Sequence, residues 1–123
     1  MAQFKLSPFQ VTTLHDAIHL LDDFGSPHST ESVFAEYTFY RRQDEAAQQA
    51  DALEQLVNTL ADIQARLGDA AAEAETPELT NKAGALEKQV KFIGTSAKSM
   101  LTRHKARALA GRAARAIFGG KGS

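Results

Sequence analysis

The sequence predicts an all-α protein: a long antiparallel helical hairpin, coiled-coil-like, with a short N-terminal helix packed at its open end. Three observations predict it. Leu53, Leu56, Leu60, Ile63 and Leu67 recur at spacings of three and four, which makes one apolar stripe on a helix. Leu79, Ala83, Leu86, Val90, Ile93, Ala97 and Met100 repeat that pattern further along. Only three prolines and no tryptophan occur in 123 residues, and much of the apolar content is alanine.

All 123 residues are expected to form a single helical domain. Residues 1–25 are an N-terminal arm and short helix. Phe4 and Leu6 lie on one side of the arm, which suits an edge strand or a docked tail. Ser7-Pro8 reads as an N-cap with proline in the first turn. Leu14, Ile18, Leu21 and Phe24 follow at helical spacing, and Gly25 suits a left-handed stop.

Ser29 or Thr30 can cap the next helix, with Glu31 in its first turn. No Gly or Pro interrupts the chain from Thr30 to Leu67. The expectation is therefore one continuous helix over 30–68, ~57 Å long at ~1.5 Å per residue and ended by Gly68. An acidic, alanine-rich turn follows. Thr76-Pro77 opens the third helix, 77–118, which Gly94-Thr95-Ser96 weakens locally. The chain ends in a Gly/Ser-rich tail, 119–123, expected to be flexible.

Two long helices joined by a short turn pack antiparallel. Facing residues then have position numbers of constant sum. Leu67–Leu79, Ile63–Ala83, Leu60–Leu86, Leu56–Val90 and Leu53–Ile93 all sum to 146. Ala46–Met100 keeps the sum, both stripes then jump six residues, to Tyr40 and Ala106, and Tyr40–Ala106, Tyr37–Leu109 and Val33–Ala113 keep it too. Nearly all the aromatics map to the open end, where helix one is expected to meet Phe34, Tyr37, Leu109 and Ile117. The rest becomes a two-helix stalk that buries one stripe per helix. Val57 and Phe92 fall off that stripe and call for a further helix, from another copy or a partner.

Charge is split along the chain. Residues 1–81 hold four Lys/Arg against fourteen Asp/Glu; residues 82–123 hold ten Lys/Arg against Glu87 alone. Asp51, Glu54 and Asp62 point outward on helix two, and Lys88, Lys91 and Lys98 on helix three. Copies stacking acidic face on basic face, in a ring or filament, follow from that separation. Arg103, Lys105, Arg107, Arg112 and Arg115 continue the basic run beside Ala106, Leu109, Ala113, Ile117 and Phe118. Such a helix is either structural, its charge offset in part by Glu31 and Glu36 opposite it, or suits an acidic partner helix, nucleic-acid phosphates or an anionic membrane, in that order.

Catalytic chemistry finds no support. His15 and His19 stand one helical turn apart, but aspartate occupies the place where a zinc-protease pattern needs glutamate. No convincing third ligand follows, so no metal, cofactor-binding or catalytic residue is assigned. Asp22-Asp23 and Glu73 with Glu75 read as solvated surface. The terminal Gly119-Gly120-Lys121-Gly122-Ser123 only superficially matches a phosphate loop. The absence of cysteine excludes disulfides and thiolate-held metals. No signal-peptide layout or bilayer-length apolar run appears, which suits a cytoplasmic location or incorporation in an assembled particle.

The functional expectation is a non-enzymatic structural or interaction protein that binds its own copies or a protein partner by helix–helix packing. An assembly component, adaptor or chaperone of bacterial or phage type would have this shape. The expected contact residues are Val57, Phe92, Lys88, Lys91, Lys98, Arg103, Arg107, Arg112 and Arg115. The alternative is nucleic-acid binding through the basic segment 98–121.

Overall fold

A computed structural model describes residues 3–114. Those residues are all-helical, with four helices and no strand among them: α1 (Pro8–Asp22), α2 (Thr30–Arg41), α3 (Ala46–Glu73) and α4 (Pro77–Ala114). Ile117, Phe118, Arg115 and the tail 119–123 lie outside the described residues.

Local signals place the helix starts. The Ser7 hydroxyl accepts from the Gln10 N–H, and the Gln10 side chain accepts from the Ser7 N–H, forming a reciprocal capping box with Pro8 in the first turn. Ser29 caps α2 through Ser32. The Thr76 hydroxyl accepts from the Leu79 N–H where Pro77 opens α4. Gly25 leaves α1 with φ of 74°. A Cβ there would meet nothing within 4 Å, so the objection to a side chain is backbone conformation alone. Gly25→Ala is expected to lower stability by about 1 kcal/mol, read as a shift in urea midpoint at constant m-value.

The apolar stripes form the core. Leu53, Leu56, Leu60, Ile63 and Leu67 on α3 are at most 1% exposed, as are Ala83, Val90, Ile93 and Ala97 on α4. α3 and α4 share the most extensive helix–helix contact. Gly68 lies against Glu87 and Glu54 pairs with Lys105 at 3.1 Å, so later residues of α4 meet earlier residues of α3. The turn differs from the expected one. Gly68 does not stop α3, which continues through the helix-favouring Asp69–Glu73 segment and leaves only Ala74–Thr76 as the connection. A Cβ on Gly68 would sit 3.3 Å from the Glu87 carboxylate, so this glycine serves close approach rather than termination.

The largest correction concerns the expected continuous helix over 30–68. The chain breaks at 42–45 and α2 folds back along α3. His28 bonds Asp62, Thr59 donates to Glu36 at 2.8 Å, and Gln49 donates to the Gln43 carbonyl at 2.9 Å. Numbers rise along α2 as they fall along α3. Arg41-Arg42-Gln43-Asp44-Glu45 contains no glycine or proline, but it also contains no apolar residue. The stripe has nothing to bury there, and a helix with no face to bury is free to end. Gln43 and Gln49 side chains then bond the exposed carbonyls of Phe39 and Gln43 at the corner.

The fold-back revises what sits at each end. Tyr37–Leu109 and Val33–Ala113 do not form buried layers at the open end of the hairpin: Val33 is 1% exposed while Leu109 is 67% exposed. α1 does not pack at the open end. The Thr13 hydroxyl lies 3.3 Å from the Gln89 amide oxygen, near the middle of α4. At its other end, Leu21 and Phe24 share a cleft with Arg66, Asp69 and Glu73, beside the turn. Only the arm reaches further up the molecule, as a docked segment: Phe4 and Leu6 donate their N–H groups to the Tyr40 and Tyr37 hydroxyls at 3.0 and 2.9 Å. Phe34 does meet α1, through the His15 ring at 5.3 Å. α4 runs unbroken through Gly94-Thr95-Ser96.

Candidate interaction surface

Helical periodicity puts Lys88, Lys91, Phe92, Thr95, Lys98, Ser99, Thr102, Ala106 and Leu109 along one side of α4. All nine are exposed. This face carries the Lys88, Lys91 and Lys98 ammonium groups and two large apolar side chains, Phe92 at 66% and Leu109 at 67% exposure, and no acid. Among the described residues, no Asp or Glu forms an ion pair with any of these three lysines. Lys105 at the edge of the face is paired with Glu54. Arg103 and Arg112 are exposed, and Arg107 joins them near the C-terminal end, so the structure keeps these expected contact residues on one helix.

Two other expected contact residues stand differently. Arg115 lies outside the described residues. Val57 is 5% exposed and belongs to the core, so its off-stripe position is filled from within the chain. α2 packs on the opposite flank of α3, the one that carries Thr59 and Asp62. Ala50 and Ala52 are buried as well.

Beside Phe92, the start of α1 and the middle of α4 enclose an open groove of about 290 Å³. Phe9, 67% exposed, and Phe92 flank it, Lys88 and Gln10 stand at its rim, and Thr13 and Gln89 meet within it. Phe9 was not among the contact residues expected from the sequence. Its position in the first turn, off the Leu14–Ile18–Leu21 stripe, was the available signal.

A buried polar cluster also escaped sequence reading. His104 is fully buried, with Nε2 3.0 Å from the Tyr40 hydroxyl, and Tyr40 is likewise fully buried. The hydroxyl accepts from the Phe4 N–H and has its own proton to donate to Nε2, which assigns the neutral Nδ1–H tautomer to His104. Nδ1 has no hydrogen-bond partner. The opposite tautomer would leave both the tyrosine proton and the Nδ1 lone pair unmatched. Burial, with the neighbouring Arg107 charge, pushes the His104 pKa below its ordinary 6.5, and burial pushes Tyr40 up. Ala97, Leu101 and His104 continue the α4 stripe at four and three, whereas the expected stripe ran through Met100, which is half-buried. A histidine in a seam reads along the sequence as a break in apolar periodicity.

The His15/His19 pair lies on the solvent side of α1. His19 approaches Asp22 at 3.9 Å. Among the described residues, no group of three or more His, Asp or Glu side chains is placed to hold a metal ion. None of the described helices is long and apolar enough to cross a membrane. Comparison with protein-family models, curated proteins and solved structures finds no match to this chain.

Proposed function

We propose that this chain is a non-enzymatic assembly or adaptor protein that joins its own copies, or a protein partner, by helix–helix packing. In this reading α3 and α4 form a coiled-coil-like antiparallel hairpin, α1 and α2 brace one side, and the outward face of α4 is the contact surface. The observation that carries it is that face: exposed Phe92 and Leu109 set among unpaired lysines on a helix whose other side is buried. Large exposed apolar side chains rimmed by charge of one sign characterise surfaces that meet a partner of the other sign.

Light scattering across protein concentration tests it. The expected result is an average mass above the 13.3 kDa monomer at high concentration and low salt, falling back toward it as salt screens the contact. A monomer mass under all conditions argues against self-association. A second reading rests on the excess of basic residues after residue 81. Binding of duplex DNA or RNA, with a steep salt slope that Arg103→Gln, Arg107→Gln and Arg112→Gln together reduce, would favour nucleic acid as the partner.

A further inference from the structure

Five large apolar side chains are exposed among the described residues: Phe9, Phe24, Phe39, Phe92 and Leu109. Their charged neighbours differ. Phe92 has Lys88 and Lys91 within one turn, and Leu109 has Lys105 and Arg112. Phe39 stands three residues after Glu36, whose carboxylate accepts from Thr59, and just before Arg41-Arg42. Phe24 alone follows two exposed acids, Asp22 and Asp23. At 37% exposure it lines the cleft with Leu21 and Arg66 on one side and is open on the other, at a corner held by the Phe24 N–H to Leu21 carbonyl bond at 2.9 Å and by the left-handed Gly25. This corner is an apolar knob with a negative flank. The Phe9–Phe92 groove is an apolar seat with Lys88 in its lining and exposed Lys91 next to Phe92 on the helix.

Knob and seat cannot meet within one molecule. Phe9 and Phe24 stand at opposite ends of α1, fifteen residues apart, or ~22 Å at ~1.5 Å per residue. We propose that the Asp22-Asp23-Phe24 corner of one copy docks in the Phe9–Phe92 groove of a second copy, with its carboxylates against Lys88 and Lys91. The inference rests on the self-association reading above and names its two surfaces. The groove, at about 290 Å³, has room for one phenylalanine side chain and part of its backbone. Because the two surfaces differ, the contact is head-to-tail, and each copy keeps a free knob and a free seat for the next. A contact of this size belongs with small, transient interfaces, so assembly appears at high protein concentration and weakens with salt.

Complementation by sedimentation velocity tests the pairing. Asp22→Lys with Asp23→Lys reverses the knob; lysine at a helix C-terminus suits the helix dipole, so the fold survives. Lys88→Glu with Lys91→Glu reverses the rim at exposed positions. Each variant alone is expected to lose self-association at least about tenfold, as loss of paired charges at a contact does. Mixing the knob-reversed and rim-reversed variants, each checked for native circular dichroism, leaves two kinds of contact. The reversed knob meets the reversed rim, and the native knob of one variant meets the native rim of the other. Assembly is therefore expected to return in the mixture and in the chain carrying all four changes. Phe92→Ser is expected to abolish assembly and resist rescue by any charge reversal.

Wild-type assembly that all three variants preserve would overturn the pairing and leave self-association standing. A wild-type chain that stays monomeric in every condition overturns both. Assembly seen only with anionic vesicles or with DNA present also overturns the pairing.

Discussion

Replacing Ile63 by alanine is expected to lower the free energy of unfolding by about 3–4 kcal/mol, a large share of the ~5–15 kcal/mol typical of a domain. Ile63 is fully buried near the middle of α3, where the stripe faces α4. Truncation removes the transfer energy of its side chain and leaves a cavity that helices braced on both sides cannot readily close. Ile63→Val, which removes one methyl, is expected to cost only about 1 kcal/mol. Urea unfolding followed by circular dichroism measures both, with the m-value unchanged. Phe92→Ala provides the contrast. At 66% exposure that ring contributes to contact rather than to core, and its loss is expected to move stability by less than about 0.5 kcal/mol. Equal effects at Ile63 and Phe92 would contradict the placement of α4.

The second large effect is expected at Tyr40→Phe, which keeps the ring and removes one oxygen. The Phe4 N–H loses its acceptor, and His104 Nε2 loses its only partner, both in buried surroundings. Two unsatisfied polar groups at about 1–3 kcal/mol each bring the expected cost to roughly 2–6 kcal/mol. The arm should loosen first, because the Phe4 bond and the Leu6 bond to Tyr37 are its two backbone ties to α2. Faster amide exchange at Phe4, with exchange in the middle of α3 accelerated less, is the expected signature. A Tyr40→Phe chain as stable as wild type would remove the cluster as a structural element.

The same cluster sets a pH dependence. Burial holds His104 neutral, with its folded pKa below 6.5. Once pH falls beneath that ordinary value, the unfolded chain binds a proton that the folded chain refuses, so the unfolded state gains. The contribution is whole above pH 6.5 and declines as pH falls toward the folded value. Tyr40 faces the imidazole from α2 and Arg107 lies on its own helix, so no acid in the cluster offsets a new positive charge. Asp62 acts in a lower window. Hydrogen bonds from Arg66 and then His28 depress its pKa, so its contribution is present above pH 3.8 and is lost as pH falls through the folded value. Thermal melts should show the first loss starting near pH 6.5, and His104→Gln should flatten that step while leaving the acid one.

Much of the fold is legible along the chain because its causes are local. Ser7, Ser29 and Thr76 cap helices through bonds to N–H groups three residues away, and Gly25 turns on its own φ. Leu53 through Leu67 and Ala83 through Ala97 share a face by helical geometry alone. Any segment with those residues would start, stop and face inward at the same places, and the all-helical class follows. The lysines of α4 and exposed Phe92 also follow from periodicity once the stripe is known.

The break at 42–45 is different in kind. Nothing in Arg41-Arg42-Gln43-Asp44-Glu45 forbids a helix. What ends it is the fold-back itself, which leaves Val33 buried and sets Tyr40 against Phe4 and His104 and Glu36 against Thr59, contacts between residues more than twenty positions apart. Gly68 likewise permits a stop by its type, but the approach of Glu87 keeps it inside α3. Sequence alone determined which residues seek burial and where single helices begin; only the tertiary structure decided which surfaces bury one another, because that choice turns on non-local contact area, and so it alone separated Val57 in the core from Phe92 at the surface.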